Sequence, residues 1–139
     1  MENIRAADTT GHPVTTHAPL RGLPPIALPT PLTSFIGRER EVSEVSGLLD
    51  RDDVRLLTLT GTGGVGKTRL AIAAANKVVD RFPDGVFFVS LAPVAEGRHV
   101  VSVISRALGL QETSDQPQTE RLAAWLGNRK LLLLLDNFE

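Results

Sequence analysis

The sequence contains no cysteine and no tyrosine, and only one tryptophan and one methionine. Without cysteine there can be no disulfide, no thiolate metal site and no cysteine nucleophile, and a reducing cytoplasm is the expected compartment. Neither sign of charge is in excess: 15 Lys and Arg stand against 16 Asp and Glu, a formal net charge of −1. That balance offers no field to attract nucleic acid or an anionic membrane, so no direct nucleic-acid contact is expected from this segment. Long apolar runs are missing as well. The longest aliphatic stretch, Leu131 to Leu135, is five residues, against the roughly 20 needed to span a bilayer. Met1 to Arg5 do not lead from basic residues into an apolar run, so no secretory signal is read there. What is present, 42% hydrophobic and 22% charged residues over 139 positions, suits one soluble folded domain at most.

Proline is concentrated at the start. Most of the nine prolines, with many threonines, fall in residues 1–32. That stretch has neither helical nor strand periodicity and few large side chains to offset the entropy of ordering. A disordered leader is expected over 1–32, its His12 and His17 read as solvated tail residues rather than metal ligands.

Periodicity appears beyond it. Val42, Val45, Leu48 and Leu49 recur at helical spacing after Glu39 and Glu41, acids placed where a helix dipole favours them. Val54 to Thr60 is β-rich and mostly apolar, which predicts a strand buried on both faces of a parallel sheet. Leu70, Ala71, Ala74, Ala75, Val78 and Val79 form a second helical stripe ending before Pro83. Val86 to Ser90 follows the turn signal Pro83-Asp84-Gly85 and reads as another buried strand. Val100 to Leu108 predicts a third helix stopped by Gly109, and Leu122, Trp125 and Leu126 mark a fourth, with Trp125 in the core. Leu131 to Asp136 is a third strand. Strands alternating with helices imply α/β architecture with a parallel sheet and right-handed crossovers.

Between the first of these strands and the second helix lies Gly61-Thr62-Gly63-Gly64-Val65-Gly66-Lys67-Thr68, which fits G-x-x-x-x-G-K-[ST] in the strand-to-helix setting the pattern requires. Such a loop must converge backbone N–H groups on phosphate oxygens, which needs positive φ and no Cβ at several places. Gly61, Gly63, Gly64 and Gly66 are the residues that supply it. The following helix adds N–H donors and the positive end of its dipole. Residues 61–69, through Arg69, are therefore the candidate binding site for the phosphates of a nucleoside triphosphate, with Lys67 reaching the β- and γ-phosphates and Thr68 offering a hydroxyl to Mg²⁺. Magnesium takes few protein ligands. Asp136, an acid ending an aliphatic strand on the side where open α/β sheets bind ligands, is the candidate second ligand. Hydrolysis further needs a group that orients or deprotonates water. Asn137, a neutral amide, follows Asp136, so the candidate catalytic acids are Asp136 itself and Glu139.

Phe35-Ile36-Gly37-Arg38-Glu39, Leu56 to Thr60 leading into the glycine loop, and Leu131 to Glu139 with its Leu-Asp-Asn-Phe-Glu run together resemble the STAND ATPases, the NB-ARC-like nucleotide switches. More narrowly they are similar to the ATPase segment of large bacterial transcriptional regulators of the LuxR-type, AfsR-like kind, over about residues 32–139. The resemblance implies the three-layer P-loop NTPase fold with Asp136 as the Walker B aspartate. It implies that Phe35, Ile36 and Gly37 line an adenine pocket with Arg38 near the nucleotide; read alone, Gly37-Arg38-Glu39 is a simple helix start. It also implies slow or regulated ATP hydrolysis, with ADP and ATP forms as off and on states that govern self-association of the full-length protein. Relatives from plants and animals commonly carry a second acid where Asn137 stands. In that fold another strand, from sequence beyond Glu139, lies between the P-loop strand and the Walker B strand. The domain expected at 33–139 is therefore partial, with carboxyl-terminal strands missing. Two rivals stay open: a P-loop ATPase valued for turnover, as in the AAA+ group, and a truncated non-functional fragment.

Overall fold

A computed structural model of the chain describes residues 3–8, 26–30, 36–92, 97–110 and 116–137. In chain order they form strands β1 (Asn3–Asp8) and β2 (Ile26–Ala27), helix α1 (Glu39–Leu49), strand β3 (Val54–Thr60), helix α2 (Lys67–Lys77), strand β4 (Val86–Ser90), helices α3 (Val100–Ala107) and α4 (Gln118–Leu126), and strand β5 (Leu132–Asp136). The chain divides into two compact units. One comprises residues 1–12 and 29–82, the other residues 13–28 and 83–139.

In the first unit, α1 and α2 pack on one face of β3. Val42 and Val45 from α1 meet Leu70 and Ala74 from α2, and Leu57 and Leu59 of β3 pack against them. Burial of Val42, Val45 and Leu70 contributes about 1.5–3 kcal/mol each relative to exposure. The opposite face of β3 is open: Leu56 is 63% exposed, and Thr58 and Thr60 are exposed too. This corrects the expectation of a strand buried on both faces in a parallel sheet. β3 instead lies in a two-stranded antiparallel sheet with β1, in a register that sets Asn3 opposite Thr60 and Ala6 opposite Leu57. Alternation of inward and outward residues follows from having helices on one side only.

Two stretches within residues 1–32 depart from the expectation, β1 by pairing with β3 and β2 by pairing with β4. Residues 3–8 and 26–27 are strands, where no regular structure was expected. A strand edge offers a row of N–H and C=O groups, and a segment can satisfy them by backbone hydrogen bonding without large side chains to bury. Hydrophobic periodicity is blind to such pairing. His12 and His17 lie outside the described residues.

The second unit is built on a parallel sheet in the order β2-β4-β5. Val86 pairs with Leu132 and Ser90 with Asp136. β4 is central, and its Phe87 and Val89 are buried with Leu91, Ile104 and Leu108 and with Leu122 of α4. Trp125 is half-buried against this core. The turns entering β4 and β5 are tied together: the Asp84 carboxylate accepts the Lys130 N–H at 2.7 Å, and the Asp84 N–H donates to the Lys130 carbonyl at 3.2 Å. Arg129 donates through Nε to the Trp125 carbonyl at 2.9 Å and lies over the indole ring, 4.7 Å from its centroid. The unit is thus α/β with a small parallel sheet. Among the described residues, no helix is long and apolar enough to cross a membrane.

The glycine-rich loop as candidate functional site

The loop begins where β3 ends at Thr60 and runs into α2 at Lys67. Gly66 makes the turn possible. It is the residue immediately before the helix, with φ 88° and ψ 23°, a left-handed conformation open to glycine at little cost. Gly64 has φ 79°. Gly61 and Gly63 are not among the positive-φ glycines of the described residues, so only two of the four loop glycines are called for by backbone conformation. At Gly63 and Gly64 a Cβ would meet nothing within 4 Å. The loop is bordered by open space there, and it is exposed from Gly61 to Val65.

Gly66, the residue before α2, has no side chain with which to cap the helix, whose first intrahelical bond runs from the Leu70 N–H to the Gly66 carbonyl at 2.9 Å. A helix start left without a side-chain cap favours an anion through its N–H groups and dipole. Lys67 brings a cation to the same place. Its ammonium donates to the Gly61 carbonyl at 2.8 Å and the Thr62 carbonyl at 3.1 Å, folding the side chain back over the loop. An ammonium has three donors, so two bonds to the loop leave capacity for an acceptor on its open side. Thr68 and Arg69 occupy the half-buried first turn of α2. The donor chemistry fits a phosphate group, and a threonine hydroxyl is the hard oxygen ligand that Mg²⁺ takes.

The start of α1 approaches the loop through Arg38. Its NH1 donates to the Val65 carbonyl at 2.8 Å, while its Nε donates to the Glu41 carboxylate at 3.1 Å. Glu39 accepts the Gly37 N–H at 3.1 Å. The Glu41 carboxyl is held below the usual glutamate range by its own backbone N–H and then by Arg38. That of Glu39 is lowered by its own N–H and by Gly37's. Both acids act as anions on the first turn. Gly37 has φ 80°, and Ile36 is 81% exposed.

The structure therefore groups Arg38, Gly61, Thr62, Val65, Gly66 and Lys67. Asp136 stands at the carboxyl end of β5 in the other unit, half-buried, its carbonyl accepting the Leu91 N–H at 2.9 Å. Asn137, directly after it, has φ 60°. Phe35 and Glu139 lie outside the described residues. Among the described residues no group of three or more His, Asp or Glu is placed to hold a metal ion. Sequence reasoning placed Glu41 in the first turn of a helix but missed its bond to Arg38. The spacing of three between Arg38 and Glu41 was the available signal, since residues so spaced are neighbours on a helix surface.

The NB-ARC domain model matches residues 38–138. The regulatory protein AfsR of Streptomyces griseus is 35% identical over 147 aligned positions, covering 96% of this chain and 15% of that protein. Its namesake in Streptomyces coelicolor is 35% identical over 131, covering 83% and 13%. A Mycobacterium bovis protein named as an HTH-type transcriptional regulator is 46% identical over 85 residues, covering 61% and 9%. The chain thus spans no more than 15% of the length of these three relatives. No solved structure matches it. With the family model covering the chain from Arg38 through the glycine loop to the end of β5, this protein belongs to the NB-ARC family of nucleotide-binding domains.

Proposed function

We propose that residues 61–69 bind the phosphates of ATP or ADP with Mg²⁺, and that the chain serves as a nucleotide-dependent switch within a transcriptional regulator. The observation that carries this is the conjunction at one loop of a left-handed Gly66, a helix start without a side-chain cap and the Lys67 ammonium. In this reading Lys67 exchanges carbonyl partners for phosphate oxygens and neutralises their charge. The first turn of α2 supplies N–H donors and the Thr68 hydroxyl a ligand for the magnesium, which supplies charge neutralisation when bound; Asp136 is the acid that the sequence motif offers as a second ligand. Phe35, Ile36 and Gly37 flank the adenine beside Arg38; the exposure of Ile36 leaves an apolar surface for a base to cover. Asp136 and Glu139 are the acids available for hydrolysis, which is slow because Asn137 supplies no base. The regulatory role draws support from the AfsR relatives, which are named as regulatory proteins; self-association governed by the bound nucleotide is part of the same proposal. Titration of the protein with ADP and with ATP, each with Mg²⁺, tests the binding. Saturable binding is expected, and Lys67→Ala abolishes it; unchanged affinity in that variant would sink the proposal. Turnover then separates the roles. Retained ADP with negligible hydrolysis supports the switch, whereas rapid hydrolysis lost on Asp136→Ala supports an ATPase valued for its chemistry.

A further inference from the structure

The Arg38 guanidinium donates through Nε to Glu41 of α1 and through NH1 to a carbonyl 27 residues away in the glycine loop. The carbonyl it grips belongs to the peptide that joins Val65 to Gly66. A trans peptide is planar, with its C=O and N–H pointing in opposite directions. Holding the Val65 oxygen toward Arg38 therefore turns the Gly66 N–H away from Arg38. The rotation left to that peptide lies in ψ of Val65 and φ of Gly66, and Gly66, lacking a Cβ, has wide conformational freedom. A loop with this freedom needs an external hold if one peptide orientation is to persist.

Arg38 alone is a flexible side chain. Its guanidinium is a rigid planar fork, so a bond at Nε fixes the direction in which NH1 points. Glu41 provides that bond at 3.1 Å. The neighbouring acid is otherwise engaged: Glu39 accepts the Gly37 N–H. The Arg38 and Glu41 side chains are 24% and 39% exposed, and such surface pairs contribute little to global stability. Their effect is local, on where the Val65 carbonyl sits.

We infer that Glu41 is a positioning residue for the glycine loop: through Arg38 it holds the Val65–Gly66 peptide in the orientation that presents the Gly66 N–H to a phosphate. This rests on the phosphate-binding reading of the loop for its purpose, but not for its geometry. The test therefore has one arm without nucleotide.

In the nucleotide-free chain, ¹⁵N relaxation reads the backbone order of Val65 and Gly66. Glu41→Ala lowers that order and shifts the Gly66 amide resonance, while the melting temperature stays within a degree or two of the parent. Glu41→Gln, which keeps an acceptor at Oε1, restores part of it. Glu41→Ala adds nothing in an Arg38→Ala background, because the two residues act in series. In the second arm, Glu41→Ala weakens ADP binding by about two- to fivefold, Glu41→Gln by less, and the double variant by no more than Arg38→Ala alone. Unchanged order and resonance at Gly66 in Glu41→Ala, or an effect additive with Arg38→Ala, overturns the inference. Failure of the parent chain to bind ADP instead removes the reading of the loop as a phosphate site, and the relaxation arm still decides the role of Glu41.

Discussion

Gly66 and Gly63 sit three residues apart in one loop and respond oppositely to the same substitution. Gly66 has φ 88° and ψ 23°, where an L side chain costs about 1–2 kcal/mol. Alanine narrows the unfolded ensemble and so offers about 0.4–1 kcal/mol where its conformation is compatible, but here it is not. Gly66→Ala is therefore expected to destabilise the nucleotide-free protein by about 1–2 kcal/mol, a fall in melting temperature of about 4–8 °C per kcal/mol for a unit of 60–100 residues. Gly63 has no positive φ, and a Cβ there meets nothing within 4 Å. Gly63→Ala should leave stability unchanged or raise it by up to about 1 kcal/mol. In binding, the two variants converge. Gly66→Ala disturbs the peptide that presents the N–H, and Gly63→Ala puts a methyl group into the open space beside the loop, so both weaken ADP affinity. Thermal melts without nucleotide, paired with ADP titrations, read both quantities. Gly66→Ala as stable as the parent would show that residue 66 is not left-handed in solution. Gly63→Ala with full affinity would show that the space beside Gly63 is not where phosphate lies.

Two further predictions concern the second unit. Ser105 is 1% exposed, and its hydroxyl has no hydrogen-bond partner among the described residues; a desolvated hydroxyl without compensation is unfavourable. Ser105→Ala should stabilise by about 1 kcal/mol, seen as a higher urea midpoint with unchanged slope, and a lower midpoint would mean that the hydroxyl is satisfied. Asp84 accepts the Lys130 N–H and faces Arg129, the two side chains being 13% and 19% exposed with 4.0 Å between their charged atoms. Asp84→Ala should cost about 2–4 kcal/mol and Asp84→Asn less, because the amide keeps an acceptor. The single tryptophan, Trp125, lies against Arg129 and reports the unfolding by fluorescence. A loss under about 0.5 kcal/mol in Asp84→Ala, the range of ordinary surface substitutions, would show that the tie is dispensable.

Element positions were legible because periodicity is a local property. Val54–Thr60 and Val86–Ser90 coincide with the apolar runs that announced them, and α1 and α2 bury the stripes at Val42, Val45, Leu70 and Ala74. Partners of the strands were not legible. Nothing in Val-Arg-Leu-Leu-Thr-Leu-Thr says whether its edge will meet a parallel or an antiparallel neighbour, since both ladders use the same backbone groups. The loop itself could be read as a motif because its chemistry is carried by contiguous residues. Contacts between distant positions could not: Arg38 reaches Val65 of the loop across 27 positions, and in the second unit Asp84 reaches Lys130 across 46. Both bonds involve backbone atoms, and a backbone atom leaves no mark in a sequence. Whether a given glycine is needed for its φ or for its missing side chain was equally hidden, and Gly66 and Gly63 now divide those two roles.

The register of β1 on β3 bears on how the protein is handled at the bench. Because the strands are antiparallel and Asn3 lies opposite Thr60, the chain comes in beside the residue that precedes the glycine loop. A purification tag or fluorescent fusion joined ahead of Met1 would be delivered to the glycine-loop end of β3. A histidine tag there would set a metal-chelating tract near a site read as needing magnesium, and could mimic or mask binding. Labels placed in the turn between α1 and β3, around Arg51 and Asp52, enter at the opposite end of the same strand and leave the loop clear.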